Sequence, residues 1–390
     1  MDLEALGRSP IGELVPIVGV DRGREWRYSA YVPHPLPVLP TIGLAALNLS
    51  TQAAMEVARL DQAMMQLPNP QILVRPIVRR EAVSTSALEG TYATFDEVLE
   101  ADFLEEDKLS SEQREVRNYI IATEEAVQMM ETYPISVTLL KRVQAAIVRG
   151  TRGATFGSGE IRTHQVCIGP PGRPIEESRF VPPPPGSVLI ETFSDWEKWV
   201  NGAENNVPIV ARMALTHYQF ETMHPFGDGN GRLGRLVAVL QLIQEGALHH
   251  PVLNISPWLE RRRQEYMDGL LNVSVTGDFD PWVEFFSEAV RTQAKEGVEK
   301  VNRLVSWRTE VLAALRTDGL RGSSLEIVEH LIGYPVINVP TARSIIGKSF
   351  EAANQAVSKL VQRGILREIT GKRQDRLFVC DEVFRIITAE

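Results

Sequence analysis

The sequence predicts a mainly α-helical protein: a helical bundle with one small β-hairpin, followed by a winged helix-turn-helix segment. Three observations carry that prediction. Long stretches repeat apolar residues at helical spacing and end in proline or glycine. One interval, residues 150–186, turns to alternating and β-branched residues crowded by Gly and Pro. Residues 320–390 read as three short helices before two strand-like runs.

Residues 1–40 end in YVPHPLPVLP and are expected as an extended arm lying on the rest, because proline blocks helix and removes donors. A helical region, 41–110, begins with ALNLSTQAAMEVARLDQAMMQL, stopped at Pro68, and continues with ILVRPIVRREAVSTSALEG, ended by Gly90. The core region, 111–275, is expected to hold helices over 111–131, 135–149, 187–201, 207–222, 231–245 and 257–273. Its hairpin lies between the second and third of these. A helix over 281–317 fills the linker, 276–319. The last segment, 320–390, is expected to fold as helices over 323–332, 340–347 and 350–363. Its wing is GILREITGKRQDRLFVC, two strands around a basic turn.

Composition sets limits on function. Hydrophobic content of 44% and charged content of 23% are those of an ordinary globular protein. A net charge of −9 argues against nucleic acid as the main partner. Residues 320–390 carry 10 Lys and Arg against 8 Asp and Glu, too mild an excess to decide anything alone. Cys167 and Cys380 are too far apart for a zinc knuckle or a disulfide framework and read as buried small residues. The N-terminus lacks a signal pattern, and no apolar run approaches the ~20 residues that span a bilayer. A cytoplasmic protein without a membrane partner is expected.

The chemistry concentrates in HPFGDGNGRLGR, residues 224–235, set between two apolar helical stretches. A helix N-terminus carries unpaired N–H groups and partial positive charge, so Gly229, Asn230 and Gly231 at such a start suit a phosphate. Arg232 and Arg235, three apart, share a face and can reach further phosphate oxygens. Asp228 is a donor suited to Mg²⁺, which binds through one or two carboxylates plus substrate phosphates. His224 is the side chain here whose ordinary pKa suits a general base near neutrality. Phe226 reads as the anchor of the loop. Together these describe a nucleotide site with a base beside it.

This stretch resembles the signature of Fic-family (Fic/Doc superfamily) proteins, HxFx(D/E)GNGRxxR, at every fixed position. The resemblance covers roughly 41–275. It implies transfer of AMP from ATP to a Ser, Thr or Tyr hydroxyl of a target protein. By that resemblance His224 deprotonates the hydroxyl, Asp228 holds Mg²⁺, and Asn230 with the loop amides holds the α-phosphate. Arg232 and Arg235 then hold the outer phosphates. TSALEG, Thr85 to Gly90, is similar to the family's inhibitory motif (S/T)xxxE(G/N), in the place of an N-terminal inhibitory helix. It implies that Glu89 pairs with Arg235 and takes the place of the γ-phosphate. GEIRTHQVCIG, 159–169, stands where the family has its flap. Ile161, Arg162, Thr163, His164, Gln165 and Val166 would there pair with the target backbone as an added strand.

Other readings compete. ARSIIGKS, 342–349, nearly matches a phosphate-binding loop, but Ala342 replaces its first glycine and no strand is expected before it. His217, His224 and Asp228 suggest a metal hydrolase, a reading that leaves the arginines without work. A transcription regulator or nucleotide sensor would instead use the C-terminal segment, binding DNA or a protein weakly. Removal of AMP would use the same site as its transfer. A homodimer is compatible with all of these.

Overall fold

Residues 209–223 and 230–244 are buried on almost every face, and this decides where the other helices must go. The computed structural model describes residues 1–21, 24–65, 70–170, 172–202, 207–371 and 376–389. In chain order come α1 (Leu3–Leu6), β1 (Gly12–Asp21), β2 (Arg24–Pro33), α2 (Leu44–Met65), α3 (Gln71–Leu88) and α4 (Phe95–Ala101). Next are α5 (Ser111–Met130), α6 (Val137–Ile147), α7 (Ser187–Val200), α8 (Ile209–Met223) and α9 (Asn230–Gln244). They are followed by α10 (Ser256–Arg261), α11 (Arg263–Thr276) and α12 (Asp280–Thr317). The C-terminal segment adds α13 (Ser323–His330), β3 (Val336–Asn338), α14 (Val339–Ile346) and α15 (Phe350–Gln362). It ends with β4 (Arg367–Glu368), β5 (Leu377–Val379) and α16 (Asp381–Thr388). The fold is mainly helical, with two small antiparallel sheets.

α8 and α9 form the centre, enclosed by α2, α3, α5, α6, α7 and α12. Their buried polar groups therefore need partners inside the protein. Gln219 donates to the His34 carbonyl at 2.9 Å, and His217 Nε2 meets the Tyr266 hydroxyl at 2.8 Å. Trp196 and Trp282 donate their indole N–H groups to the α8 carbonyls of Thr216 and Ala214. α12 has 38 residues and so runs about 57 Å at 1.5 Å per residue. Its first half buries Trp282, Phe286 and Val290, and its second half buries Leu312 and Leu315.

One apolar core runs from Leu36 to Ile387, so the C-terminal segment is joined to the bundle rather than tethered to it. α16 lies against α3, where Arg80 donates to the Thr388 carbonyl at 3.1 Å, and its Phe384 packs on Phe95 of α4 with ring centroids 5.8 Å apart. Arg75 of α3 stacks over the Tyr334 ring at 4.5 Å. Within the segment, four helices accompany an antiparallel sheet of order β3-β5-β4. Gly347, at φ +62°, turns α14 into α15, and the Ser349 hydroxyl caps the second helix.

Several expectations need correcting. The N-terminal arm is a paired hairpin, Gly12↔Pro33 through Asp21↔Arg24, because β-branched and aromatic residues fill ELVPIVGV and EWRYSAYV. Of the prolines that suggested an arm, Pro33 ends β2 and Pro35, Pro37 and Pro40 lie beyond it, while Pro16 sits on an edge strand where no donor is missed. The expected hairpin in 150–186 reduces to a single antiparallel bridge, Ile168↔Phe180. Prolines at 170, 174 and 182–185 remove the donors a longer ladder needs. The helix expected over 257–273 breaks at Arg262. Cys167 is exposed, whereas Cys380 is buried. A strand does precede ARSIIGKS, but Gly347 and Lys348 follow the end of α14 instead of opening a helix. The stop at Pro68 and the basic turn at 372–375 lie outside the described residues.

Candidate active site

The motif occupies the turn between α8 and α9, and its geometry begins with the backbone. His224 caps α8 at φ +47°, ψ +61°, the one non-glycine residue of left-handed conformation among those described. Histidine enters that region more readily than most side chains, but the conformation still costs energy and tends to occur where function demands it. Gly229, at φ +80°, makes the second reversal into α9.

Phe226 locks the loop from below. Its ring is fully buried and meets Phe193 edge-on, with centroids 6.0 Å apart. Phe226→Ala is therefore expected to cost about 3–5 kcal/mol of stability, measured by chemical denaturation. A loss under about 1 kcal/mol would show that the loop is held by other means. One such hold is Asn230. Its carboxamide accepts from Phe226 N–H at 2.9 Å and donates to Phe226 C=O at 2.8 Å. Asn230 thus shapes the loop with its side chain, and what it offers an anion is its backbone N–H. The first-turn N–H groups of α9, at Asn230, Gly231 and Arg232, have no carbonyl one turn earlier to meet.

The two arginines, though close on α9, reach to different helices. Arg232 pairs with Glu115 of α5 at 3.0 Å and with Asp228 at 3.3 Å. Arg235 is enclosed by α3. Its Nε donates to the Thr85 hydroxyl at 2.7 Å, and its Nη2 donates to the Thr85 carbonyl at 3.0 Å and to Glu89 Oε1 at 2.7 Å. Glu89 ends α3, and Gly90, at φ +85°, turns the chain away. The Glu89 carboxylate lies directly over the first turn of α9: a Cβ on Gly231 would collide with its Oε1. Thr85, Glu89, Gly231 and Arg235 are therefore one cluster.

Charge follows this arrangement. Burial works against the charge of Glu89, but Arg235 outweighs it and holds the carboxyl below its ordinary value. Burial likewise opposes the charge of Arg235, and Glu89 more than restores it. His224 moves the other way: burial, then the Arg162 charge, lowers it to about 4, so its ring is neutral at pH 7. His217 is lowered to about 3 by burial and Arg235. Its partner is Tyr266, and no cluster of three His, Cys, Asp or Glu that could hold a metal exists among the described residues.

The segment expected to dock a target divides in two. Thr163 and His164 are exposed, and Ile161, Gln165 and Val166 are half-buried. Arg162 is 2% exposed and cannot face a partner. Its guanidinium donates to the carbonyls of His224, His164 and Pro183, tying this segment to the end of α8. Gln144 of α6 makes a second tie, accepting from Gly159 N–H at 2.6 Å and donating to the Asp228 carbonyl at 3.0 Å. Glu115 and Gln144 lie far from the motif in sequence and give no signal there. Glu221 gives one that the sequence reading passed over, an acid on an otherwise apolar helix three residues before His224.

Residues 47–128 match the family model described as Fic/DOC family N-terminal, and residues 134–242 match the model described as Fic/DOC family. A protein adenylyltransferase Fic of Culex quinquefasciatus is 31% identical over 156 residues, which is 40% of this chain and 26% of that protein. One of Drosophila willistoni is 33% identical over 156 residues, with the same shares. The chain therefore matches about a quarter of the length of these curated relatives. The crystal structure of a Fic family protein from Desulfovibrio desulfuricans G20 is 21% identical, with a TM-score of 0.57 over 88% of this chain and 98% of that one. That likeness is one of fold.

Proposed function

Because the chain carries Fic/DOC-family N-terminal and core domains over 47–128 and 134–242, we propose that it is a protein adenylyltransferase held inhibited by Glu89. It transfers AMP from ATP to a Ser, Thr or Tyr hydroxyl of a target protein. The observation that carries this reading is the carboxylate already seated on the first turn of α9 and paired with Arg235. That place suits an anion by its unpaired N–H groups and helix dipole. The side chain filling it is 38% exposed, so it can swing out without opening the core.

In the reaction, the α-phosphate sits on the N–H groups of Asn230, Gly231 and Arg232, and the outer phosphates reach Arg235. The ring of His224 is neutral, with Nδ1 facing the Glu221 carbonyl at 3.4 Å, which leaves Nε2 as the acceptor. Nε2 takes the proton of the target hydroxyl as its oxygen bonds to the α-phosphorus and pyrophosphate leaves. The negative charge of bound ATP raises the basicity of His224 from its low resting value. Thr163, His164 and Val166 present the target backbone.

Asp228 fits Mg²⁺. Its side chain is 28% exposed, and Arg232 approaches one of its oxygens at 3.3 Å. A single carboxylate suits an ion that draws its other ligands from phosphate and water. When bound, the ion would neutralise phosphate charge. Asp228→Ala and Arg235→Ala should both lose transfer, for different reasons. Raising Mg²⁺ is expected to restore part of the rate of the first and none of the second, read by transfer of radiolabelled AMP. Equal rescue of both would overturn this division of roles.

Residues 320–390 are read as a winged helix-turn-helix unit that docks a protein. Five of its ten cations, Lys348, Arg363, Arg367, Arg376 and Arg385, are engaged by carboxylates, which lowers the charge open to DNA phosphates. Removal of AMP would use the same residues, with Glu89 orienting water. The test of the whole reading is mass spectrometry of the protein and a cell lysate after incubation with ATP and Mg²⁺. A mass gain of one AMP on hydroxyl side chains supports it, and its absence even with Glu89→Gly would refute it.

A further inference from the structure

Arg162 is 2% exposed, and burial lowers its guanidinium only to about 10, so it is cationic at neutral pH. Among the described residues no carboxylate pairs with it, and its acceptors are carbonyls instead. Nε donates to the His224 carbonyl at 2.8 Å, and Nη2 donates to that of Met223 at 3.4 Å. The backbone N–H of Arg162 donates to the Pro225 carbonyl at 3.0 Å. Three successive carbonyls, of Met223, His224 and Pro225, thus accept from one residue. Among the described residues no other group donates to them. Met223 and His224 lie at the C-terminal end of α8, where carbonyls lack partners one turn on and carry partial negative charge. That charge stands in for the missing carboxylate.

The φ and ψ of a residue set the angle between the two rigid peptide planes that meet at its Cα. The Met223 carbonyl belongs to the plane before His224, and the His224 carbonyl to the plane after it. Both are held by one planar guanidinium, and this fixes His224 at φ +47°, ψ +61°. A side chain other than glycine pays for that conformation, so without a hold the turn would relax. Beyond Pro225, Asn230 takes over by holding both the N–H and the C=O of Phe226. We propose that Arg162 is a positioning residue for His224: it keeps the strained turn in place and so aims Nε2 at the target hydroxyl. This rests on the transfer reaction proposed above, with His224 as its base.

The same side chain joins the base to the docking segment. Nη1 donates to the His164 carbonyl at 3.2 Å, and Nη2 donates to that of Pro183 at 2.6 Å. Thr163 and His164 themselves are exposed. The residues that would present a target backbone and the turn that carries the base therefore share one anchor. Only arginine suits this place. Its donors spread in a flat fork that reaches carbonyls on several sides, whereas the ammonium of lysine is a single point with three diverging N–H groups. Lysine would keep the charge and lose the hold. The phosphate contacts lie elsewhere, on the first turn of α9 and on Arg235, so ATP binding is independent of Arg162.

The experiment uses the full chain carrying Glu89→Gly as parent, and reads automodification with radiolabelled ATP and Mg²⁺ beside ATP affinity by calorimetry. Arg162→Gln is expected to lower the rate at saturating ATP by about 10²-fold, the usual cost of misplacing a reacting group by ~1 Å. Arg162→Lys should lower it by about tenfold, and ATP affinity should stay within about twofold of the parent in both. With His224→Asn there is no base left to aim, so adding Arg162→Lys should slow transfer by less than about twofold more. A general disturbance of the segment would instead slow the double variant by the full factor. In the parent itself the Arg162 Nε–H resonance should persist at about pH 8, where exposed arginines lose theirs to exchange, a readout that needs no Arg162 variant to fold. Four results would each overturn this proposal alone: Arg162→Lys transferring at the parent rate, ATP affinity falling in step with rate, full additivity in the double variant, or loss of the Nε–H signal. Absence of AMP transfer by the parent would overturn the adenylyltransferase reading, and this proposal with it.

Discussion

Replacing His224 with alanine is expected to slow AMP transfer by about 10²–10⁴-fold, the usual contribution of a general base. ATP affinity should change little, because the phosphate contacts come from the first turn of α9 and from Arg235. The backbone imposes one precaution. His224 has φ +47°, and alanine there is strained by about 1–2 kcal/mol. His224→Asn is the matched control, since asparagine accepts the left-handed conformation while offering no comparable base. Both variants should label target at the same low rate and bind ATP as wild type does. The resting ring is held at about 4, so wild-type activity should not fall from loss of this base until the pH drops toward 5. Below that, protonation removes the acceptor. Transfer by either variant at the wild-type rate would remove His224 from the mechanism.

Glu89→Gly is expected to act in the opposite direction, raising automodification and target labelling by roughly tenfold or more. Two effects add. The ion pair to Arg235 at 2.7 Å occupies a phosphate ligand, and the carboxylate adds negative charge where the triphosphate tail must lie. Two like charges 4 Å apart repel by about 4 kcal/mol at an effective dielectric of 20. Solvent at a side chain 38% exposed screens much of this, so an observed gain of tenfold, about 1.4 kcal/mol, is the cautious expectation. Glycine is tolerated at the end of α3, where the next residue already turns at φ +85°. Glu89→Asp should be intermediate, because its shorter arm reaches Arg235 less well. A time course of labelling on the three proteins, with His224→Ala added to the glycine variant as a blank, decides the matter. If the folded glycine variant labels no faster than wild type, Thr85 to Gly90 is a helix end and nothing more.

The places where sequence and structure part share a physical cause. Periodicity located the long helices within a few residues, because their apolar faces are dictated by one-dimensional spacing. It missed α4 and α16, which are short and take their stability from neighbours such as the Phe95–Phe384 contact. It misread residues 1–40 because proline was counted without regard to where it falls: β-branched and aromatic residues in 12–33 outweigh the two prolines that the strands contain. Arg162 looked like a docking residue in a flexible segment, and only folding shows its guanidinium buried among three carbonyls.

The sequence by itself determined the helical bundle and the chemical contents of the candidate site: His224, the glycine-rich turn, the acid at Asp228, the two arginines and the distant Glu89. These follow from residue type and local spacing, which a chain carries before it folds. The tertiary structure decided which of them meet. It sent Arg232 to Glu115 and Arg235 to Thr85 and Glu89, turned the Asn230 side chain onto its own loop, and set Glu221 against Gly234. Such pairings join groups as far as 150 residues apart in the chain. They arise because α8 and α9 are enclosed on nearly every side, so each polar group there must find its partner on whichever helix packing brings alongside.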